Sequence, residues 1–197
     1  MTAADRDRWE ARWQAREGPP GTPEPFLVAQ AASLPPGPVL DLAAGDGRNA
    51  LWLAARGVPV TALDIAPAAL ARLQAAAGQA GLAVATRLAD LDDPAALDGL
   101  GPFAAAIAAI RYRPPAALWP RLAGRLRPGG MLLLCSFAVA QAERTRFRRD
   151  LCLDRAAIVA EMGPALQLIA WQELDRDGDR LAGSLWVRPQ AAAAMAS

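Results

Sequence analysis

Histidine and lysine are both absent from this sequence of 197 residues, in which arginine supplies every basic side chain. Without histidine the chain has no Ser-His-Asp triad, no Cys-His nucleophile pair, no imidazole general base and no His-ligated metal site. Cysteine is scarce as well, because Cys135 and Cys152 are the only two. Two cysteines are too few for a zinc cluster or a disulfide framework. The composition therefore excludes enzymes that depend on histidine and predicts no metal site.

The sequence also lacks an excess of one charge and a long hydrophobic run. Its 21 basic and 20 acidic residues leave a formal charge of +1. So balanced a chain lacks the overall positive field of a dedicated nucleic-acid-binding protein. The most apolar stretch, residues 131–140, is about half of the roughly 20 residues that a membrane span needs. Because the N-terminus shows no signal peptide, we expect a cytoplasmic protein with neither a membrane nor a nucleic-acid partner.

Hydrophobic residues make up 53% of the chain, and the length suits a single folded domain. Residues 1–25 are expected to form an N-terminal helix and a Pro/Gly linker. Trp9 and Trp13 share one face of that helix, which can act as a lid. Residues 26–190 form the predicted main domain, and the alanine-rich residues 191–197 are predicted to be a disordered tail. Nothing in the sequence indicates an oligomeric state.

Short apolar strands alternate with amphipathic helices along most of the chain. The predicted strands are residues 38–43, 58–65, 82–88, 103–110 and 131–139, and the predicted helices include residues 26–33, 45–56, 118–126 and 153–162. This alternation predicts a parallel sheet with helices on both faces. The last two strands, residues 166–174 and 180–187, are joined by a connection too short for a crossover, so they form an antiparallel hairpin. The expected fold class is α/β: a single doubly wound, mostly parallel, seven-stranded Rossmann-like sheet with a C-terminal hairpin.

A glycine turn connects the first strand to the helix that follows it. Within residues 39–49, Gly45 and Gly47 allow a tight turn and a close approach of the backbone to a ligand. The helix N-terminus beyond them suits an anionic group. Asp64 ends the second strand, where a carboxylate can accept hydrogen bonds from both hydroxyls of a ribose. Asp90 ends the third strand, where it can reach an adenine amino group.

Two kinds of nucleotide cofactor fit a turn of this form. Gly45, Gly47 and Ala50 match the G-x-G-x-x-A pattern of NAD-dependent oxidoreductases. Asp41 is evidence against that cofactor, because it lies inside the first strand, where its carboxylate would repel a pyrophosphate. The terminal hairpin and the absence of a second nucleotide-binding half point the same way. Together they favour S-adenosyl-L-methionine, whose sulfonium is positively charged.

Residues 39–57 resemble the first motif of class I S-adenosylmethionine-dependent methyltransferases. The form Gly-Arg-Asn-Ala at residues 47–50 is closest to the tellurite-resistance and thiol-methyltransferase branch. This resemblance implies transfer of the cofactor's methyl group to a small-molecule acceptor, possible acceptors being anionic molecules or thiols. The cofactor-binding residues that it implies are Trp9, Arg12, Asp41, Ala43, Gly45, Gly47, Asp64, Ile65, Asp90, Leu91 and Ile110.

Within that set the resemblance also assigns roles to the parts of the cofactor. The methionine part is assigned to Asp41, Ala43, Gly45 and Gly47, the ribose to Asp64, the adenine face to Ile65 and the adenine edge to Asp90 and Leu91. The N-terminal helix, with Trp9, Arg12 and Trp13, has two interpretations. It is either a lid, in which Arg12 meets the cofactor's carboxylate or an anionic acceptor, or a helix docked permanently on the sheet.

Arg111 and Tyr112 follow the fourth strand and are the candidates for the transfer centre. Arg111 either anchors an anionic acceptor or forms a structural ion pair with a nearby aspartate, and Tyr112 serves either catalysis or packing. A thiolate acceptor needs no strong base, which is compatible with the missing histidine. Two alternative functions are an NAD-dependent oxidoreductase and a module that binds the nucleoside cofactor without turnover.

Overall fold

The structure is a computed structural model that describes residues 3–100 and 104–190. Its helices are α1 (Ala3–Gln14), α2 (Pro25–Gln30), α3 (Arg48–Ala54), α4 (Pro67–Gln79), α5 (Trp119–Arg125), α6 (Val139–Arg144) and α7 (Arg155–Met162). Its strands are β1 (Val39–Leu42), β2 (Val60–Asp64), β3 (Val84–Leu88), β4 (Ala104–Ile110), β5 (Leu126–Phe137), β6 (Gln167–Arg176) and β7 (Asp179–Val187). Phe103, the predicted start of the fourth strand, and the predicted tail at residues 191–197 lie outside the described residues.

The strands form one sheet in the order β3-β2-β1-β4-β5-β7-β6. Strands β1 to β5 run parallel to one another, and β7 is antiparallel to both β5 and β6. The predicted fold class is confirmed. Because the chain order reverses between β1 and β4, a crevice for a ligand is expected at the carboxyl ends of these two strands.

The hairpin that closes the sheet has a turn of two residues, shorter than the predicted connection. Asp177 and Gly178 both have positive φ angles, +50° and +84°. A type I′ turn requires this pair of angles and favours Asp-Gly, because its twist matches that of the flanking strands. Both strands therefore extend further towards the turn than predicted, β6 to Arg176 and β7 from Asp179.

Several predicted helix ends differ from the structure, and two of these differences border the sheet. The helix expected from Gly45 begins instead at Arg48, because Gly45 and Gly47 have φ angles of +58° and +83° that a right-handed helix excludes. Leu126 was predicted to close a helix but starts β5, where it pairs with Ala104 of β4. Both differences lengthen the irregular or extended segments that border the sheet.

Helices cover both faces of the sheet and enclose two hydrophobic clusters. On one face Phe26 of α2, Leu53 of α3 and Leu73 of α4 pack against the strands. On the other face Trp119 of α5 and Ile158 of α7 do so. Such double coverage explains why every residue of β4 is buried. No helix of residues 3–100 and 104–190 is long and apolar enough to cross a bilayer.

We expect Gly183 of β7 to be required for the packing of α2. A Cβ atom at Gly183 would lie 2.6 Å from a ring carbon of Phe26. Gly183→Ala should therefore lower the free energy of unfolding by about 1–3 kcal/mol, the usual effect of overpacking. In the control Gly78→Ala, the new Cβ meets nothing within 4 Å. This control should raise the free energy by about 0.5–1 kcal/mol through helix propensity. Urea unfolding measures both, and equal stability of the two variants would contradict the packing argument.

Candidate active site

The turn between β1 and α3 depends on backbone conformations that favour glycine. Gly45 and Gly47 both have positive φ, and Ala43 also has a φ of +53°, a strained conformation for a residue with a Cβ. A Cβ atom at Gly47 would lie 2.1 Å from Leu73 of α4, so glycine permits the close packing of α3 on α4. A Cβ atom at Gly45 would lie 2.5 Å from the ring of Trp13. Both glycines are therefore fixed by contacts as well as by φ.

Asp64, the last residue of β2, holds this turn in place. Its Oδ2 accepts a hydrogen bond of 2.7 Å from the N–H of Gly45, and its Oδ1 accepts one of 2.9 Å from the N–H of Ala66. Burial raises the pKa of Asp64, and the two N–H donors oppose that rise. Since a carboxylate has about four lone-pair positions, Asp64 keeps acceptor capacity for a ligand.

A cavity of about 300 Å³ opens at the carboxyl ends of β1, β2, β3 and β4. Its volume lies at the lower end of the range for small-molecule sites, roughly 300–1,000 Å³. The residues assigned to the site or the lid that line it are Trp9, Arg12, Trp13, Ala43, Gly45, Asp64, Ile65, Leu91, Ile110, Arg111 and Tyr112. Lining residues that the sequence did not assign to cofactor or acceptor are Arg16, Gly21, Ala44, Asp46, Arg48, Asn49 and Ala89.

Three residues predicted to bind the cofactor lie outside this lining. Gly47 packs against α4, as described above. Asp41 is 1% exposed within the sheet, and burial raises its pKa to about 7, with the charge of Asp64 adding to the rise. Asp90 lies 3.8 Å from Arg6 of α1, in an ion pair. The structure thus places these three around the cavity, and their contacts with a cofactor stay predictions.

Helix α1 crosses the carboxyl edge of the sheet, starting near β3. Beyond the Arg6–Asp90 pair, Glu10 accepts a hydrogen bond of 2.9 Å from the N–H of Ala68 in the first turn of α4. No side chain next to α4 in sequence caps that turn. Glu10 therefore satisfies a donor that helix N-termini leave free, and it joins α1 to α4.

The C-terminal half of α1 lies over the glycine turn. The Trp13 ring rests on Gly45, and the Arg16 Nε atom lies 3.1 Å from Asp46 Oδ2. Arg72 of α4 donates hydrogen bonds to the carbonyl oxygens of Arg16 and Gly18. The spacing of residues 9, 12, 13 and 16 marks one helical face, so the sequence did contain the signal for including Arg16.

Arg111 is held by two carboxylates. Its Nη1 donates a hydrogen bond of 2.8 Å to Asp179 Oδ2, and its Nε lies 3.5 Å from Glu24 Oε2. The guanidinium also lies 5.1 Å from the centre of the Phe137 ring. Of the two interpretations of Arg111, this geometry favours the structural ion pair with a nearby aspartate, because its charge is already balanced.

Glu24 was missed by sequence reasoning. It lies between two prolines in the stretch predicted to be a linker, yet it is 1% exposed. It accepts a hydrogen bond of 3.3 Å from Arg48 Nη2, and its own N–H donates to Asn49 Oδ1 at 2.9 Å. The far end of the Pro/Gly stretch is therefore anchored to α3, and no local pattern in the sequence indicates that anchor.

Two further groups lie near the end of β4, the half-buried Tyr112 and the buried Cys135. The Tyr112 hydroxyl has no hydrogen-bond partner among the described residues, and burial raises its pKa, helped by the charge of Asp90. This hydroxyl can donate to a bound molecule. Burial also raises the pKa of the Cys135 thiol to about 12, so it stays protonated and is not a nucleophile. Within the described residues no group of three or more His, Cys, Asp or Glu side chains could hold a metal ion.

Comparison with known proteins adds one sequence match and many structural likenesses. Residues 39–130 match a family model described as a methyltransferase domain. No protein of curated function matches the sequence significantly. The family match covers β1 to the start of β5, which includes the glycine turn, and it supports a methyltransferase.

Three solved structures illustrate the likeness in fold. One, from work on the conversion of a disulfide bond into a thioacetal group during echinomycin biosynthesis, has 19% identity and a TM-score of 0.74 over 96% of this chain and 94% of its own. Magnesium protoporphyrin IX methyltransferase from Synechocystis, with bound SAM, has 18% identity and a TM-score of 0.63. The match covers 93% of this chain and 79% of the methyltransferase chain. TehB from Haemophilus influenzae has 19% identity and a TM-score of 0.67 over 85% of this chain and 62% of its own.

We expect Asp41 to make the stability depend on pH. Its folded-state pKa of about 7 exceeds the ordinary aspartate value of 3.8, so the folded state binds this proton more tightly than the unfolded chain. This contribution to stability is fully present below the pKa of the unfolded chain and is lost as the pH rises through the folded-state pKa. It is at most roughly 4 kcal/mol, because the two pKa values differ by about three. Asp41→Asn should remove this pH dependence, because its amide stays neutral.

Urea unfolding of both proteins between about pH 4 and pH 8 measures this contribution. The wild type should lose stability relative to Asp41→Asn as the pH rises. The control Asp175→Asn, an exposed carboxylate of the hairpin, should follow the wild type. Parallel profiles for wild type and Asp41→Asn would show that Asp41 titrates normally.

Proposed function

We propose that this protein is an S-adenosylmethionine-dependent methyltransferase acting on a small molecule. The observation that carries the proposal is the carboxylate of Asp64, which lines the cavity while holding the Gly45 turn at 2.7 Å. The match of residues 39–130 to a methyltransferase domain supports the same activity. The fold supports it too, because the cavity lies where open α/β sheets bind ligands.

The residues around the cavity fit this cofactor. Asp64 offers acceptor positions for ribose hydroxyls, and Ile65, Ala89 and Leu91 form an apolar wall suited to a purine. Gly45 brings the backbone close to the bound molecule without a Cβ in the way. The carboxylate of Asp64 gives this end of the site a negative character, which suits a cation and disfavours a pyrophosphate.

When bound, S-adenosylmethionine supplies a methyl group on a sulfonium, a carbon already activated for displacement. The chain's own residues align the acceptor and exclude water, which together can contribute roughly 7–11 kcal/mol. Trp9 and Trp13 cover the cavity, and the Tyr112 hydroxyl can orient an acceptor by donating a hydrogen bond. None of these steps requires a general base when the acceptor is a thiolate.

We also propose a class of methyl acceptor and a branch of the methyltransferases. A thiol-type or anionic acceptor, as in the tellurite-resistance and thiol-methyltransferase branch, is supported by the Gly-Arg-Asn-Ala sequence at residues 47–50 and by the likeness to TehB. The absence of histidine and lysine also favours a soft acceptor that ionises without help.

Binding of nucleotides tests the cofactor assignment. Calorimetric titration should show tighter binding of S-adenosylhomocysteine than of NADH. Asp64→Asn keeps an acceptor for Ala66 but loses the charge, and it should weaken that binding by about 1.5–3 kcal/mol. The control Asp175→Asn should bind as the wild type does. Tighter binding of NADH would favour the oxidoreductase, and unchanged affinity in a folded Asp64→Asn would refute the role of Asp64.

Turnover separates an enzyme from a module that only binds the nucleoside. Labelled S-adenosylmethionine incubated with thiol acceptors should yield a labelled product in proportion to the protein added. Binding of the cofactor without transfer to any acceptor of a metabolite extract would favour the binding module.

We further propose that α1 acts as a lid. None of its residues is buried, and its polar contacts with the main domain are few. The helix itself has the Arg6–Asp90 pair and the Glu10 bond to α4. Just beyond it, Arg16 pairs with Asp46, and Arg72 donates hydrogen bonds to the carbonyl oxygens of Arg16 and Gly18. Contacts of this kind open at little cost, since partly exposed pairs contribute roughly 0–1 kcal/mol each. A molecule below Trp9 and Trp13 would add apolar area to the docked state and favour closure.

Limited trypsin digestion reports on the lid through the arginines of α1. Cleavage within residues 6–16 should slow when S-adenosylhomocysteine is added. Glu10→Gln loses the charge of the α4 contact, so cleavage in this variant should be faster without ligand. Cleavage after Arg56, an exposed residue at the opposite end of α3, is the internal control and should not change. Equal rates of cleavage in α1 with and without ligand would refute the lid.

A further inference from the structure

Four arginines line the cavity, and three of them have a carboxylate partner. The pairs are Arg16–Asp46 at 3.1 Å, Arg48–Glu24 at 3.3 Å and Arg111–Asp179 at 2.8 Å. The fourth, Arg12, has no carboxylate within 4.0 Å in the described part of the chain, and its guanidinium lies 5.1 Å from the centre of the Trp9 ring. Arg12 is thus a cavity-lining cation whose five N–H donors are left to solvent or ligand.

Helix geometry gives the direction of Arg12. Residues two apart on an α-helix point about 160° away from each other, at ~100° per residue. Glu10 is bonded to α4, so Arg12 points to the opposite flank of α1. Whereas α4 packs on one face of the sheet, Tyr112 packs on the other. Arg12 therefore points to the side of the cavity formed by Tyr112.

Charge balance in the cavity distinguishes Arg12 from the other arginines. The three paired arginines are each neutralised by the protein, which leaves Arg12 and Asp64 as the charged lining groups without a counter-ion. S-adenosylmethionine has one net positive charge at neutral pH, and Asp64 balances it. Arg12 then remains positive in the same cavity as the Tyr112 hydroxyl, which has no hydrogen-bond partner in the described residues.

We propose that Arg12 binds the methyl acceptor and that the acceptor carries a carboxylate or similar anionic group. This inference rests on the proposed function and adds the substrate class. A guanidinium holds a carboxylate through paired N–H bonds, and the stacked Trp9 ring fixes the plane of those donors. The Tyr112 hydroxyl donates a second kind of hydrogen bond to the same molecule. The acceptor then lies between α1 and the end of β4, with its nucleophilic atom free to face the methyl group.

The test compares acids with their neutral amides. The probes are mercaptoacetate, 3-mercaptopropionate and 4-mercaptobutyrate, each with its amide, so that the distance between thiol and charge varies. Rates of methylation are measured for wild type, Arg12→Gln and Arg8→Gln. Arg8 is on the same helix but pairs with Asp5 at 2.9 Å and does not line the cavity, so its variant controls for loss of one charge from α1. Comparing acid-to-amide ratios across variants cancels the intrinsic reactivity of each thiol.

We expect the wild type to favour the acid in kcat/KM for at least one chain length. Arg12→Gln should reduce that preference by about tenfold or more, the usual effect of losing a charge-assisted hydrogen bond. Arg8→Gln should retain it. No preference in the wild type, or an undiminished preference in Arg12→Gln, overturns the proposal.

Two further measurements separate this proposal from the proposed function. S-adenosylhomocysteine should bind all three proteins with similar affinity, and a tenfold loss confined to Arg12→Gln would make Arg12 a cofactor residue instead. If no thiol is methylated, the acids and amides are titrated into the protein saturated with S-adenosylhomocysteine, followed by tryptophan fluorescence. Equal affinity for acid and amide in this titration overturns the proposal that Arg12 binds an anionic group. Failure of S-adenosylhomocysteine itself to bind would refute the proposed function. The acids and amides would then be titrated into the protein alone, which still tests whether Arg12 binds the anionic group.

Discussion

The arrangement of the cavity depends on one buried carboxylate, that of Asp64. By accepting N–H bonds from Gly45 and Ala66, it fixes the end of β2 to the turn after β1 and to the start of α4. Removing a carboxylate from water is unfavourable, and the raised pKa of Asp64 shows that the two donors only partly offset that cost. The folded chain therefore maintains a charged acceptor at the crevice at some expense in stability, as functional sites often do.

The position of α1 follows from that anchor. Glu10 binds the first turn of α4, whose start is set by Asp64 through Ala66, and Trp13 rests on Gly45, whose N–H the same carboxylate holds. The contact surface for α1 is thus assembled from the two backbone segments that Asp64 joins. A change at the base of the cavity therefore reaches the docked helix above it through these contacts.

Local patterns in the sequence were sufficient for the sheet and for the position of Gly45 and Asp64 at its carboxyl edge. Strand and helix periodicity and the short final connection together predict the topology, because each depends only on neighbouring residues. Contacts between distant segments are different. Nothing near Glu24 indicates that it will be buried against Arg48, and nothing near Arg111 shows that Asp179 will neutralise it. Such pairs arise only when the hairpin and the Pro/Gly stretch meet at the sheet edge.

These long-range pairs limit which charges the cavity can offer to a ligand. Arg111 joins the Pro/Gly stretch at Glu24 to the hairpin at Asp179, so its charge is committed to holding segments together. A displacement at an activated carbon needs alignment and the exclusion of water more than it needs a proton carrier. A site made of backbone turns, paired arginines and aromatic rings provides alignment without histidine. In the proposed methyl transfer, the described residues around the cavity therefore contribute fixed positions for the acceptor.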